Sequence, residues 1–431
     1  MLQVLGPVSR SVPGGVNGVR PKQRNKAAAQ SKTVDAPISR KKQRQQQQTI
    51  TKPADAVNAA EANAADTLLL PDGVWADATS DATLVERAAE RGLKLDASTL
   101  DRLCVAYGLD ARLSCKLIEG DGPALSVLLT TTRGDYQLRA VGRDAVGRLG
   151  LDVEIAIIAY LRQRAFPAPD LLTTAAGARY VRHDGVFYAV APAVAGRTYE
   201  SDAQAIAAGR ILARFHTFMR SFEGPYRLGG SRYLPDVIGE NATWLRGMQR
   251  FVSDVRPDQL GELEPVFSDA SRRLLGLQQP IRDLYDNEPR LVTHGSFTRD
   301  AVLFDHGVVV KVDAFEQTSY DIRLTDVAHA CISFCSRTGE TDEAGHAPLE
   351  RGRYRQFLAG YGEAAPLSER ESRCLPLLIQ ANHITSFVAQ CRASFDASSP
   401  EDAGELVRNI IESAERLRGQ MAVDADCMND D

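Results

Sequence analysis

Residues Leu291–Ala330 read LVTHGSFTRDAVLFDHGVVVKVDAFEQTSYDIRLTDVAHA. The stretch divides into a loop opening on His294-Gly295-Ser296, a hairpin, a strand ending in Asp313-Ala314-Phe315-Glu316, and a helix from about Thr325 that carries Asp326. Side chains alternate between the faces of a strand, so Asp313 and Ala314 do not share one. An inward-facing Asp313 needs a polar partner or a raised pKa.

Upstream of this stretch, strand and helix signals alternate in a definite order. Two short helices are predicted over 83–91 and 98–107. Strands follow over 115–119, 124–132 and 136–141, broken by the turn residues Gly120-Asp121-Gly122 and Arg133-Gly134-Asp135. A helix is predicted from Leu151 to Gln163, because Val153, Ile157, Tyr160 and Leu161 recur on one face. Pro167 and Pro169 end it, and short strands are predicted at 171–172, 179–182 and 186–191. Beyond Gly196 the signals are mostly helical: 201–222 with Ser201 as N-cap, 258–284, 325–336, 351–361, 369–393 and 401–418. The fold class is therefore α+β, with two lobes: a small antiparallel β-rich N-lobe with its preceding helices over 81–194, and a larger helical C-lobe over 195–419. An acidic, frayed tail is expected over 420–431.

Composition adds little about chemistry. The 431 residues carry a net charge of -5 and 44% hydrophobic residues, as an ordinary globular protein does. The charge is uneven, since residues 1–52 hold eleven Lys or Arg and one acid, Asp35. Residues 1–75, rich in Gln and Ala, are expected to form a disordered basic arm whose candidate partners are a protein, a nucleic acid or a membrane surface. No run approaches the roughly 18 apolar residues of a membrane span, and the start lacks secretory-signal features. Cys104, Cys115, Cys331, Cys335, Cys374, Cys391 and Cys427 show no zinc spacing and are expected as buried thiols. A cytoplasmic location is expected, with organellar import the alternative for a eukaryotic source.

The 291–330 stretch resembles the catalytic segment of the aminoglycoside phosphotransferase-like kinases, the group that includes homoserine kinases, choline kinases and spore-coat proteins of the CotS type. That segment reads HGDxxxxN, then a hairpin, then a strand ending in Asp, Phe or Trp, and an acid. The resemblance, over residues 95 to about 400, implies a protein-kinase-like fold that uses ATP and Mg²⁺ on a small-molecule substrate. It places Arg139 at the phosphate-gripping lysine and Glu154 as its carboxylate partner. Gly120 and Gly122 fall in the turn that would cover the phosphates, and Tyr188–Gly196 in the hinge.

In the catalytic loop His294 matches, but Ser296 stands at the general-base aspartate and Ala301 at the metal-binding amide. Serine is no useful proton acceptor near neutral pH, and alanine ligates no metal. The metal aspartate falls on Ala314 when aligned from downstream, and on Asp313 when aligned from upstream. Asp313 and Glu316 are the metal candidates, and Asp300 with Asp313 would make a relocated pair. The substrate region is expected over 230–290 and 370–395, with Tyr233, Trp244, Gln380 and His383 as candidates. His216, in Leu212-Ala-Arg-Phe-His216, is expected to be structural.

Three functions follow: a pseudokinase acting by ligand or partner binding, an active phosphotransferase using Asp313 and Asp300, or a structural, coat-associated protein with this fold.

Overall fold

A computed structural model of the chain describes residues 80–118, 124–142, 150–224, 233–337, 347–398 and 402–428. The basic arm and the Gly120/Gly122 turn lie outside them. The N-lobe opens with helices α1 (Asp81–Glu90) and α2 (Ala97–Tyr107). A five-stranded antiparallel sheet follows: β1 (Arg112–Ile118), β2 (Leu125–Thr131), β3 (Gly134–Gly142), β4 (Val181–His183) and β5 (Val186–Pro192), in the order β1-β2-β3-β5-β4. Leu138, Ala140, Tyr188 and Val190 pack with Leu84, Leu100 and Leu103 of α1 and α2. Strand alternation then turns Gln137, Arg139 and Ala189 to the opposite face, where helix α3 (Leu151–Arg162) lies.

The C-lobe is built on α4 (Ala203–Met219), α5 (Leu234–Val255), the short α6 (Pro257–Leu260) and α7 (Leu263–Asn287). Two small strand pairs hold the 291–330 stretch. One is β6 (Arg290–Thr293) with β9 (Ser319–Ile322); the other is the hairpin β7 (Val302–Asp305) and β8 (Val308–Val312). Helices α8 (Arg323–Cys335), α9 (Arg351–Gly362), α10 (Glu369–Ala397) and α11 (Ala403–Met428) complete it. Ser368 and Glu371 form a capping box at the start of α10, and Glu371 also takes a bidentate bond from Arg323 at 2.6 and 2.7 Å. All seven cysteines are buried. No helix among the described residues is long and apolar enough to cross a membrane.

Several expectations are corrected. Helix α5 has no counterpart among them: Gly239, Asn241 and Gly247 lower its helix propensity, and a buried stripe of Ile238, Ala242, Leu245 and Val252 helps to hold it. Residues 171–172 form no strand, although the Leu172 N–H reaches the Val190 carbonyl at 2.8 Å. Ser201 does not cap α4; the Gln204 side chain instead accepts from the Glu200 and Ser201 N–H groups at 2.7 and 3.0 Å. The expected frayed tail is helical through Met428. It is anchored where buried Asp424 accepts from the Leu349 N–H at 2.7 Å and meets His383 Nε2 at 3.0 Å.

Helices α4 and α9 cross at Gly209 and Gly360. A Cβ on Gly209 would run into the Phe357 carbonyl, and one on Gly360 into the Ile206 carbonyl. Main chain cannot rotate aside as a side chain can, so the Gly209→Ala variant is expected to lose about 1–3 kcal/mol, read as a lower melting temperature.

Candidate functional site

Arg139, on the α3-facing side of β3, is held between two buried carboxylates. It bonds Glu154, in the first turn of α3, through both terminal nitrogens. Its Nη2 lies 3.0 Å from Glu316, in the 3₁₀ turn Phe315–Gln317 that follows β8. Burial alone would lower the Arg139 pKa, but Glu154 and then Glu316 hold it above its ordinary value. Burial raises Glu316 despite the facing guanidinium.

Gln137, two residues earlier on the same face, spans to the end of β8. Its amide donates to Asp313 Oδ2 at 3.0 Å and accepts from Lys311, whose ammonium lies 2.9 Å from the same carboxylate. Burial pushes the Asp313 carboxyl up, but Lys311, and after it Arg139 and Gln137, bring it down to about 2. The neighbouring Ala314 has φ 62° and ψ 38°. That left-handed conformation costs an alanine about 1–2 kcal/mol and is visited far more readily by Gly, Asn or Asp.

The 294–301 loop is tied from behind by Asp326. Its carboxylate accepts the His294 and Gly295 N–H groups at 2.6 and 2.8 Å and meets His216 Nε2 at 2.9 Å, while His216 Nδ1 lies 2.8 Å from the Tyr361 hydroxyl. Gly295 has φ 78°, and a Cβ there would strike the Gln317 carbonyl, so the turn requires glycine. The His294 ring is packed among Phe215, Phe297 and Phe315. Burial lowers its pKa to about 4; Asp326 and the Asp313 main chain oppose this only in part.

Ser296 is half-buried, Ala301 buried and Asp300 exposed. The Asp313 N–H bonds the Ala301 carbonyl at 2.8 Å, so these two positions adjoin through main chain. Among the described residues no three of His, Cys, Asp and Glu converge as a metal site. Magnesium thus finds a poor donor set: Asp313 is occupied by Lys311 and Glu316 by Arg139, and Ser296, Ala301 and Ala314 offer no carboxylate.

Two cavities flank this arrangement. One of about 30 Å³ lies between β3, β5 and α3 and is lined by Gln137, Arg139, Glu154 and Asp313. The other, of about 400 Å³, lies in the C-lobe beside Gly295, with Tyr285, Glu316, Asp321, His329 and Asn382 on its walls. Trp244, Tyr233, Gln380 and His383 are not on those walls. Trp244 packs against Phe267 and Phe395, and His383 is tied to Asp424. Gln137 and Lys311 were absent from the sequence candidates, although each sits two residues from one, on the same strand face. Tyr285, His329 and Asn382 carry no local motif, and they converge with Asp321 only through the fold.

This geometry agrees with the comparisons. The phosphotransferase enzyme family matches residues 114–367, more than half of the chain, which therefore belongs to that family. The homoserine kinase of Methylobacillus flagellatus is 25% identical over 304 residues, covering 70% of this chain and 85% of that protein. The homoserine kinase of Methylobacillus glycogenes is 25% identical over 255 residues, covering 58% and 70%. Among solved structures, an amicoumacin kinase in complex with AMP-PNP and Ca²⁺ superposes with a TM-score of 0.55 at 15% identity, over 77% of this chain and 96% of that one. A microcompartment-associated aminopropanol kinase gives 0.52 at 15%, over 76% and 99%. The fold is protein-kinase-like.

Two outcomes follow from the buried charges. The Arg139→Met variant leaves Glu154 and Glu316 without their cation and is expected to lose about 3–5 kcal/mol in urea denaturation. His294 binds a proton more readily unfolded, near 6.5, than folded, near 4. Its contribution to stability is therefore complete above about pH 6.5 and falls by about 3 kcal/mol as pH drops to 4. A His294→Phe variant should lose less stability than wild type across that window, measured as unfolding free energy against pH.

Proposed function

We propose that this chain is a pseudokinase: a kinase-fold protein that has given up phosphoryl transfer and acts by binding a ligand or partner. The carrying observation is that the groups such chemistry would use are replaced or already paired. Ser296, Ala301 and Ala314 stand where the resemblance puts the base and the metal ligands, and the left-handed backbone at Ala314 favours that position, over Asp313, as the metal aspartate. Arg139 is taken up by Glu154 and Glu316, and Asp313 by Lys311. Loss of a positioned base alone removes roughly 10²–10⁴-fold in rate.

The 400 Å³ cavity is the ligand site in this reading. Asp321 and Asn382 beside the Tyr285 ring suit a small amine, the class to which homoserine and aminopropanol belong in the similar proteins. The basic residues 1–52 are the candidate surface for a protein or nucleic-acid partner. The alternative, an active small-molecule kinase using Asp313 and Asp300, draws support from the homoserine kinases matched over 85% of their length in one case.

ATP titrated calorimetrically into the full chain, with and without Mg²⁺, separates the two. The expected result is no Mg²⁺-dependent binding and no ADP release on adding homoserine. Homoserine-dependent ADP release that an Asp313→Ala variant abolishes would establish the alternative instead.

A further inference from the structure

The cleft between the lobes holds a feature that the loss of catalytic residues does not itself require. Gln137 belongs to the N-lobe sheet, whereas Lys311 and Asp313 belong to the C-lobe hairpin, 174 and 176 positions away in sequence. The three side chains close a ring of contacts: amide to carboxylate at 3.0 Å, ammonium to carboxylate at 2.9 Å, and ammonium to amide oxygen. Lys311 is 5% exposed, so in the closed structure its ammonium depends on these partners rather than on water. Directly behind it the Arg139–Glu316 pair makes a second tie between the same lobes.

We propose that Gln137, Lys311 and Asp313 form a ligand-independent latch that holds the two lobes shut along β3 and the end of β8. The latch does what a bound nucleotide and metal would otherwise do, bridging the lobes with charge and hydrogen bonds, but from groups belonging to the chain itself. Lys311 supplies the cation and Asp313 the anion. Gln137, with both a donor and an acceptor, joins the ammonium and the carboxylate at once without adding charge. The inference rests on the paired state of Asp313 described above, but it concerns the ligand-free protein and stands or falls apart from any activity.

Hydrogen–deuterium exchange on the ligand-free full chain tests it. In wild type the amides of residues 136–140 and 310–313 should exchange slowly, with no change on adding Mg²⁺-ATP. A Gln137→Leu variant, close in size, cuts the span while leaving the Lys311–Asp313 pair in place. It should speed exchange at both segments by about tenfold or more while the interior of α4 keeps its rate. Unchanged exchange at both segments in a folded Gln137→Leu protein overturns the latch. So does strong new protection of both segments in wild type when nucleotide is added, because the seam would then have been open. Lys311→Met should speed both segments likewise; should that variant fail to fold, Gln137→Leu alone decides. ADP release with slow ligand-free exchange would remove the pseudokinase reading and leave the latch standing.

Discussion

The burial of one guanidinium orders the rest of this molecule. Taking a cation out of water costs several kcal/mol unless anions and hydrogen bonds replace the lost hydration. Arg139 finds them on two different elements, Glu154 on α3 and Glu316 after β8. Its flat fork can meet two carboxylates in fixed directions, as the compact ammonium of a lysine cannot. The clamp sets α3 against the sheet and draws the Phe315–Gln317 turn toward the N-lobe. That turn in turn brings the Gln317 carbonyl against Gly295 and so places the loop that Asp326 grips from behind.

The residues that brace the catalytic loop and those at its cleft positions are under different constraints in this chain. The groups that hold the 294–301 loop are all in place: Asp326 on two main-chain N–H groups, His216 on Asp326, and Tyr361 on His216. They are buried, and losing any one strands a polar partner, which makes them costly to change whether or not the loop does chemistry. The positions facing the cleft carry no such penalty. A serine at 296 and an alanine at 301 cost the fold little; only Ala314 leaves a mark, in a backbone conformation that its side chain does not favour.

What the sequence revealed divides along the same line. Local signals placed the strands and most helices to within a few residues, because turn glycines and apolar periodicity are properties of short windows. The Arg139–Glu154 pair was legible through the resemblance. Its third member, Glu316, was noticed as a metal candidate, and only the fold shows it facing Arg139. Gln137 and Lys311 carry no motif, and nothing local announces a contact across 174 positions; the clue was only that each shares a strand face with a residue already singled out. Helix α5 was lost because its glycines and asparagine mask a buried stripe that matters only once α7 lies against it.

Charge gives the final step. Around the seam two cations, Arg139 and Lys311, face three carboxylates, Glu154, Asp313 and Glu316. In a buried setting such an imbalance is felt more strongly than in water, since the screening that weakens charge in solution is reduced there. Among the described residues, a polyphosphate entering the seam would add negative charge where Arg139 and Lys311 are already paired. The C-lobe cavity has Asp321 on its wall, and a carboxylate there suits an ammonium group. Under the proposed reading, this excess of carboxylate disfavours a polyphosphate in the cleft, and Asp321 suits an amine ligand beside it. That combination is what a kinase fold kept for binding and relieved of catalysis would need.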